Sequence, residues 1–173
     1  YAESKLEAEK RAADFSEKNK ISLTILRPAT VIGEGDRGNV ARLISLIDKG
    51  RFAWIGDGKN KKSLIYKADI AEAIIKLIEQ KSAGTEIYNL SAEPVEMKRI
   101  VGWIADFLDK KIPGTKIPEK FFGAVFKINK QTLSIKKLLK NENTLEKWLS
   151  DDIYSARKFN ERFGFKARVA IAE

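Results

Sequence analysis

The amino-acid sequence predicts a parallel α/β fold, and two kinds of observation lead to this prediction. Short apolar runs that suit strands, such as residues 21–26 and 86–90, alternate with longer stretches whose apolar residues recur at helical spacing. Proline and glycine mark several boundaries between these segments, at Pro28, at residues 33–38 and at Gly164. Strands that alternate with helices indicate a parallel sheet, because a helix returns the chain before the next strand begins.

The predicted elements follow in chain order. The first helix is expected to use Leu6 and Ala13, with Ala2 and Phe15, as its apolar side, and Asp69 is expected to cap a later helix. The inward residues expected on that later helix are Ile70, Ala73, Ile74, Leu77 and Ile78, and those on the next are Ile100, Val101, Ile104, Phe107 and Leu108. The predicted helices are 1–19, 39–49, the segment after Asp69, 94–109 and 152–163, and the predicted strands are 21–26, 52–55, 63–66 and 86–90.

The pattern changes after Pro113. Apolar residues between 121 and 139 are embedded among lysines with no strand between them, so we expect this region to be mostly helical. Two interpretations remain open at this point. The region is either a small cap packed on the sheet domain or an amphipathic segment at a membrane surface.

Composition excludes several classes of chemistry. The 173 residues contain no Cys and no His, which excludes disulfides, thiol nucleophiles, thiolate or histidine metal sites and Ser-His-Asp triads. No apolar run is long enough to cross a bilayer. The net charge of +9 suggests an anionic partner, although scattered surface lysines explain it equally well, and no nucleic-acid module is recognisable. The chain starts at Tyr1 and its single Met is Met97, so we expect it to be part of a longer protein.

Tyr1 and Lys5 are the strongest candidates for catalysis. Positions i and i+4 of a helix share one face, so the two residues can present a phenol and an ammonium to one site. A nearby positive charge lowers the pKa of a tyrosine, which suits proton transfer during the interconversion of alcohol and carbonyl. The same spacing recurs at Tyr154 and Lys158, and most such pairs are parts of a solvated helix face. The spacing alone leaves both interpretations open.

A glycine-rich segment offers a rival interpretation. Residues 33–38 spell GxGxxG before a predicted helix, with Asp57 at the end of the next strand, as in a dinucleotide-binding fingerprint. Glu34 and Asp36 argue against it, because they place carboxylates where a pyrophosphate must approach backbone amides. A turn-rich loop that leads into a helix explains the glycines equally well.

Several motifs together carry a resemblance to a known family. Residues 1–9 resemble the YxxSKxxAE active-site helix of extended short-chain dehydrogenases, the NAD-dependent epimerase and dehydratase family. Residues 27–39 are similar to that family's RPxxVYGxGxRGN segment, and residues 56–73 to its GDGxxxRxxxYVxDxAxA stretch. Residues 87–90 and 156–165 fit as well, so the resemblance spans nearly the whole chain. Among the branches it is nearest to nucleotide-sugar epimerases and reductases of surface-polysaccharide pathways.

This resemblance implies a fold and a cofactor. Residues 1–112 are expected to be the C-terminal part of a Rossmann-like NAD-binding domain, interleaved with substrate-binding segments, and residues 113–173 a small, mostly helical substrate-binding cap. NAD or NADP is expected to be bound mainly by the missing N-terminal part. By resemblance, Tyr1 is the acid-base residue, Lys5 holds the nicotinamide ribose and lowers the pKa of Tyr1, and Pro28 borders the nicotinamide. No metal is expected.

The resemblance also implies a nucleotide-sugar substrate. Asn39, Lys62 and Asn89 are the expected substrate-binding residues, and Lys62 stands where the family usually has an arginine for the diphosphate. Ile32 and Ala68 also depart from the family pattern. The isolated chain is expected to be inactive, cytoplasmic, and prone to dimerise or self-associate through an exposed sheet edge. The alternatives are a hydroxysteroid or flavonoid-type dehydrogenase and a non-catalytic module that binds anionic ligands.

Overall fold

A computed structural model describes residues 2–80, 84–114, 116–117 and 148–168. Helices alternate with groups of one to three strands along the described chain. The helices α1 to α5 are Ala2–Asn19, Asn39–Asp48, Lys67–Gln80, Met97–Phe107 and Arg157–Phe163. The strands β1 to β8 are Leu23–Pro28, Thr30–Ile32, Trp54–Ile55, Lys61–Lys62, Leu64–Tyr66, Thr85–Leu90, Val95–Glu96 and Lys116–Ile117.

Parallel pairing dominates among the described strands. β1 pairs with β6, β2 with β5 and β3 with β8 in parallel, whereas β4 and β7 are antiparallel. The register of the longest pair runs from Leu23 opposite Thr85 to Pro28 opposite Leu90. The mixed α/β class with parallel strands is therefore confirmed.

Pro28 is the last residue of β1 rather than a residue beyond its end. The backbone N–H of Ala29 donates a hydrogen bond of 2.8 Å to the carbonyl oxygen of Leu90, so the ladder with β6 continues past the proline. Because backbone N–H groups alternate in direction along a strand, the missing N–H of Pro28 belongs to the side away from β6. Within the described part of the chain, β1 has no strand on that side.

The described residues form two compact units. The first unit comprises the described residues of Tyr1–Gly33, Leu64–Glu93 and Tyr154–Arg168, and it contains the β1–β6 pair. Its core is a cluster of aromatic rings in which Tyr88 lies edge-on to Phe159, at 5.5 Å between ring centres. The other members of this cluster are Phe163 and Phe165.

The second unit comprises the described residues of Glu34–Ser63 and Pro94–Ile153. Here α2 packs on α4, and each helix buries one face of branched apolar residues. The buried side chains are Leu43 and Ile47 from α2 and Ile100, Val101 and Ile104 from α4. The apolar residues at helical spacing thus form the contact between the two helices.

Several residues that were predicted to be inward are exposed. On α1, Leu6 and Phe15 face away from the protein, and on α3 the same holds for Ile74 and Ile78. Phe107, in the last turn of α4, is 85% exposed. Helical spacing identifies an apolar face but not what covers that face, and no described element covers these positions.

The remaining differences concern Asp69 and the region after Pro113. α3 begins at Lys67, so Asp69 lies inside its first turn and is not the cap. Most of the predicted cap, residues 118–147, lies outside the described residues, and so does the choice between a cap and a membrane-surface segment. None of the helices within the described ranges is long and apolar enough to cross a membrane.

Candidate active site

Two of the predicted site residues lie at the carboxyl ends of the neighbouring strands β1 and β6. Arg27 is opposite Asn89 in the register and Pro28 is opposite Leu90, so Pro28 and Asn89 lie on neighbouring strands within one residue of each other in register. Pro28 is exposed and Asn89 is half-buried. In α/β sheets, ligands bind outside the carboxyl ends of the strands, where loops and side chains surround an open crevice.

The N-terminal turns of helix α1 lie at this same end of the sheet. It runs antiparallel to β1, because the short connection through Lys20, whose φ is 54°, reverses the chain. Two contacts show the alignment: Ser16 bonds to Ile21 before the start of β1, and Glu9 bonds to Arg27 near its end. The first turns of α1 therefore lie toward the carboxyl end of β1.

Lys5 lies in these first turns and is exposed. Tyr1, its predicted partner, lies outside the described residues. The Tyr1–Lys5 pair thus stays a prediction. The described part of the candidate site consists of the residues at the carboxyl end of β1 and on the facing part of α1.

The pair formed by Glu9 and Arg27 joins α1 to β1. The Nε atom of Arg27 donates to both carboxylate oxygens of Glu9, at 2.9 and 3.2 Å, and its Nη2 atom also donates to Oε2. Hydrogen bonding to Arg27 lowers the pKa of the Glu9 carboxyl, and hydrogen bonding to Glu9 raises the pKa of the Arg27 guanidinium. Both groups are consequently charged near neutral pH.

Ser16 holds the other end of α1. Its side chain is buried, its hydroxyl donates to the carbonyl oxygen of Ile21, and its oxygen lies 3.4 Å from the Thr85 hydroxyl at the start of β6. α1 is therefore joined to its neighbours near its C-terminal end by the buried Ser16 hydroxyl and near its middle by the ion pair between Glu9 and Arg27.

Asn39 and Lys62 belong to the second unit. Asn39 is the first residue of α2 and is exposed. Lys62 is only 8% exposed, and its Nζ atom donates a hydrogen bond of 2.7 Å to the carbonyl oxygen of Ser150. Burial lowers the pKa of Lys62, and the nearby carboxylates of Asp152 and Asp151 partly oppose this change.

The glycine-rich segment has a structural explanation. The N–H of Gly38, before the start of α2, donates to Asp36 Oδ1 at 2.6 Å, and the N–H of Ala41 donates to Asp36 Oδ2 at 3.3 Å. A carboxylate of the chain thus satisfies the amides that a dinucleotide phosphate needs. The rival dinucleotide fingerprint does not fit this loop.

The second Tyr-xxx-Lys sequence does not form a helical pair. α5 begins at Arg157, so Tyr154 lies before the helix that carries Lys158. The Nζ atom of Lys158 instead donates to the carbonyl oxygen of Ile87 at 3.2 Å and lies 4.4 Å from the centre of the Tyr88 ring. This repeat of the spacing is a structural contact between α5 and β6.

Comparison with known protein families gives a match over residues 1–91. These residues match the model of the NAD dependent epimerase/dehydratase family. The chain belongs to this family. It is 37% identical over 121 residues to the N-acetyl-alpha-D-glucosaminyl-diphospho-ditrans,octacis-undecaprenol 4-epimerase of Escherichia coli O157:H7. The aligned region covers 68% of this chain and 37% of that protein. It is 30% identical over 131 residues to the UDP-glucose 4-epimerase of Vibrio cholerae, with 73% and 40% covered.

Solved structures share the fold. The crystal structure of UDP-glucose 4-epimerase with UDP-glucose from Thermotoga maritima matches with a TM-score of 0.67 and 17% identity. The match covers 100% of this chain and 50% of that one. The chain thus spans about two fifths of the length of these sequence relatives and half of this structural neighbour. The resemblance to the epimerase and dehydratase family is confirmed.

Sequence reasoning assigned no role to Glu9 or Arg27. Both residues stand inside the quoted motifs, Glu9 at the end of YxxSKxxAE and Arg27 at the start of the RP segment. Glu9 also follows Lys5 by four residues, which is one turn along the same face. This spacing was the available signal, but the contact with Arg27 joins residues 18 positions apart and needed coordinates.

Proposed function

We propose that the full-length protein, translated from the complete reading frame that encodes these residues, is an NAD- or NADP-dependent epimerase of sugars linked to a diphosphate. The family match of residues 1–91 carries this proposal. Two relatives support the reaction by name, since both are 4-epimerases and both names contain a sugar bound to a diphosphate or to UDP. A nucleotide sugar and a polyprenyl-diphosphate sugar share this chemistry.

The residues at the carboxyl ends of β1 and β6 fit one side of a nicotinamide site. Pro28 is exposed there, Asn89 is half-buried beside it, and Lys5 is exposed on α1. The glycine-rich loop does not fit the pyrophosphate, since Asp36 occupies its amides. The cofactor, when bound, supplies the hydride acceptor. We assign its main contacts to polypeptide outside these residues, so residues 1–173 alone are proposed to be inactive.

In the proposed mechanism Tyr1 carries the proton. Its phenolate accepts the proton of a sugar hydroxyl as that carbon becomes a ketone, and its phenol returns the proton when the opposite face is reduced. Lys5 favours the phenolate through its positive charge and holds the ribose of the cofactor. Pro28 closes one side of the nicotinamide site with an apolar ring.

Asn39, Lys62 and Asn89 are the proposed substrate contacts. An anionic diphosphate attracts an ammonium group, which favours Lys62 for this role. Lys62 then exchanges its hydrogen bond to the Ser150 carbonyl oxygen for one to a phosphate oxygen.

We also assign the protein to the cytoplasm. We propose that the chain self-associates through the outer edge of β1, which carries no strand in the described ranges.

The full-length protein tests this function. Purified protein with NAD or NADP is incubated with UDP-glucose, UDP-N-acetylglucosamine, dTDP-glucose and N-acetylglucosaminyl-diphospho-undecaprenol, and the C4 epimers are quantified by chromatography. Conversion of at least one sugar, and none by residues 1–173 alone, is the expected result. Turnover of hydroxysteroids with no turnover of any diphosphate-linked sugar rules the proposal out and selects the alternative dehydrogenase.

A further inference from the structure

We propose that Glu9 and Arg27 are positioning residues, whose ion pair holds the first turns of α1, and Lys5 with them, against the carboxyl end of β1. This inference rests on the proposed function, because Lys5 is a catalytic residue only within it. The ion pair itself stands on the described geometry alone.

The ion pair lies close to Lys5 along the helix. Lys5 and Glu9 are separated by one turn on the same face of α1, about 6 Å along the helix axis. On β1, Arg27 immediately precedes Pro28. The pair therefore lies one helical turn from Lys5, and its arginine directly precedes Pro28 on β1.

The contact between Arg27 and Glu9 involves more than one hydrogen bond. Arg27 presents two nitrogens to both oxygens of Glu9, and such a two-pronged arrangement fixes orientation as well as distance. A lysine at position 27 would keep the charge but lose this geometry. The other anchor of α1, Ser16, lies seven residues farther along the helix. The ion pair therefore ties α1 to β1 at a point seven residues closer to Lys5 than Ser16 is.

The ion pair contributes little to the free energy of unfolding. The side chains of Arg27 and Glu9 are 47% and 22% exposed, and solvent screens such a pair so that it adds little to the stability of the fold. A contact that adds little stability but constrains two elements at a candidate active site is better explained by positioning. Misplacement of a reacting group by about 1 Å lowers the rate on the order of a hundredfold.

The chain contains a matched control for this pair. Arg11 and Glu7 form an ion pair of 2.8 Å on the same helix, with the same two residue types, but both residues belong to α1. Removing the charge of Glu7 therefore changes the helix by the same amount without releasing it from β1. A Glu7→Gln variant separates positioning from loss of charge.

The first test uses the full-length protein and needs no cofactor. Hydrogen exchange of the backbone amides in the first two turns of α1 is measured by NMR for the parent, Glu9→Gln, Arg27→Gln and Glu7→Gln. We expect Glu9→Gln and Arg27→Gln to raise the exchange rates by about two- to fivefold, the range for a partly exposed ion pair, and Glu7→Gln to change them less. Equal rates in all three variants would overturn the inference.

The second test measures kcat and KM of the full-length protein with the sugar it converts. We expect Arg27→Lys and Glu9→Gln to lower kcat by about tenfold to a hundredfold with KM for the sugar nearly unchanged, whereas Glu7→Gln stays within twofold. The exchanged pair Glu9→Arg with Arg27→Glu should recover part of kcat. A fall in thermal stability with an unchanged kcat shows a purely structural pair and overturns the inference.

The two proposals fail in different ways. If the parent full-length protein converts no diphosphate-linked sugar, the proposed function is wrong, while faster exchange in Glu9→Gln still shows that the pair holds the helix. If the parent converts a sugar and Glu9→Gln is as active as Glu7→Gln, the function stands and the positioning role is wrong.

Discussion

The carboxylate of Asp69, in the first turn of α3, accepts a hydrogen bond of 2.9 Å from the backbone N–H of Arg168. The Nε atom of Arg168 lies 3.4 Å from the other carboxylate oxygen. Asp69 is 1% exposed, so this contact fixes the chain beyond α5 to the start of α3 inside the first unit. Asp69 belongs to the family motif at residues 56–73. In the structure this aspartate stabilises the fold through its contact with Arg168.

Asp69→Asn is expected to destabilise the chain. The amide group of the asparagine turns a donor toward the N–H of Arg168 or leaves one acceptor too few, and a buried hydrogen-bonding group without its partner costs about 1 to 3 kcal/mol. Glu72→Gln is the matched control, because Glu72 contacts the same arginine at 3.4 Å but has a side chain that is 47% exposed. Urea unfolding should show a small change for Glu72→Gln, and equal losses in both variants contradict this explanation.

Lys62 should make the stability of the chain depend on pH in the alkaline range. Burial holds the pKa of Lys62 below its usual 10.5, so the unfolded chain keeps this proton to a higher pH than the folded chain does. The free energy of unfolding therefore rises with pH between the two pKa values and levels off above 10.5. The quantity to measure is the difference in unfolding free energy between the parent and Lys62→Met from pH 7 upward.

Lys61→Met is the control for this measurement. Lys61 precedes Lys62 on β4 and is exposed. The buried Tyr88, whose pKa is raised by burial, is present in every variant, so its opposite contribution cancels. The parent should gain stability relative to Lys62→Met as pH rises, with no such gain relative to Lys61→Met. A difference that stays level or falls for Lys62→Met shows that the lysine is not desolvated.

Gly58→Ala tests the turn between β3 and β4. A Cβ atom at Gly58 would lie 2.7 Å from a ring carbon of Trp54, and φ at this position is +70°. Gly35 has a similar φ of +83°, but nothing lies within 4 Å of the same atom. Both alanines carry the backbone strain of a positive φ, and only Gly58→Ala adds a clash. Urea midpoints should fall further for Gly58→Ala, and equal midpoints refute the close approach to Trp54.

Phe159→Ala tests the aromatic core of the first unit. Phe159 is fully buried against Tyr88, Phe163 and Phe165, and truncating a buried phenylalanine costs about 3 to 5 kcal/mol. Phe15→Ala, on the exposed side of α1, should change the unfolding free energy by less than about 0.5 kcal/mol. Similar losses in the two variants mean that Phe15 is covered in solution, for example by self-association.

The sequence predicted the order and type of the main elements because apolar spacing and the positions of Pro28 and Gly164 are local signals. It could not predict which faces are covered, since Leu6, Ile78 and Phe107 have helical spacing but no described neighbour over them. The strand at Thr30–Ile32 was missed because it begins two residues after Pro28, and a proline in the sequence indicates a boundary between a strand and a loop.

The candidate site was predicted in part. Pro28 and Asn89 follow from the family motifs, and the parallel register places both at the carboxyl end of the β1–β6 pair. The contacts of Glu9 with Arg27 and of Asp69 with Arg168 join residues far apart in sequence, so no local pattern reveals them. The burial of Lys62 was also not predictable, because a lysine on a short strand normally points to solvent.

In the proposed mechanism, Tyr1, assisted by Lys5, transfers the proton during sugar epimerisation. The most direct measurement compares kcat of the full-length protein with that of Tyr1→Phe, using Tyr154→Phe as the control, since Tyr154 has the same spacing to a lysine but lies outside a helix. We predict that Tyr1→Phe lowers kcat by a factor on the order of a hundred to ten thousand while Tyr154→Phe stays near the parent value. A Tyr1→Phe variant as active as the parent would contradict the account.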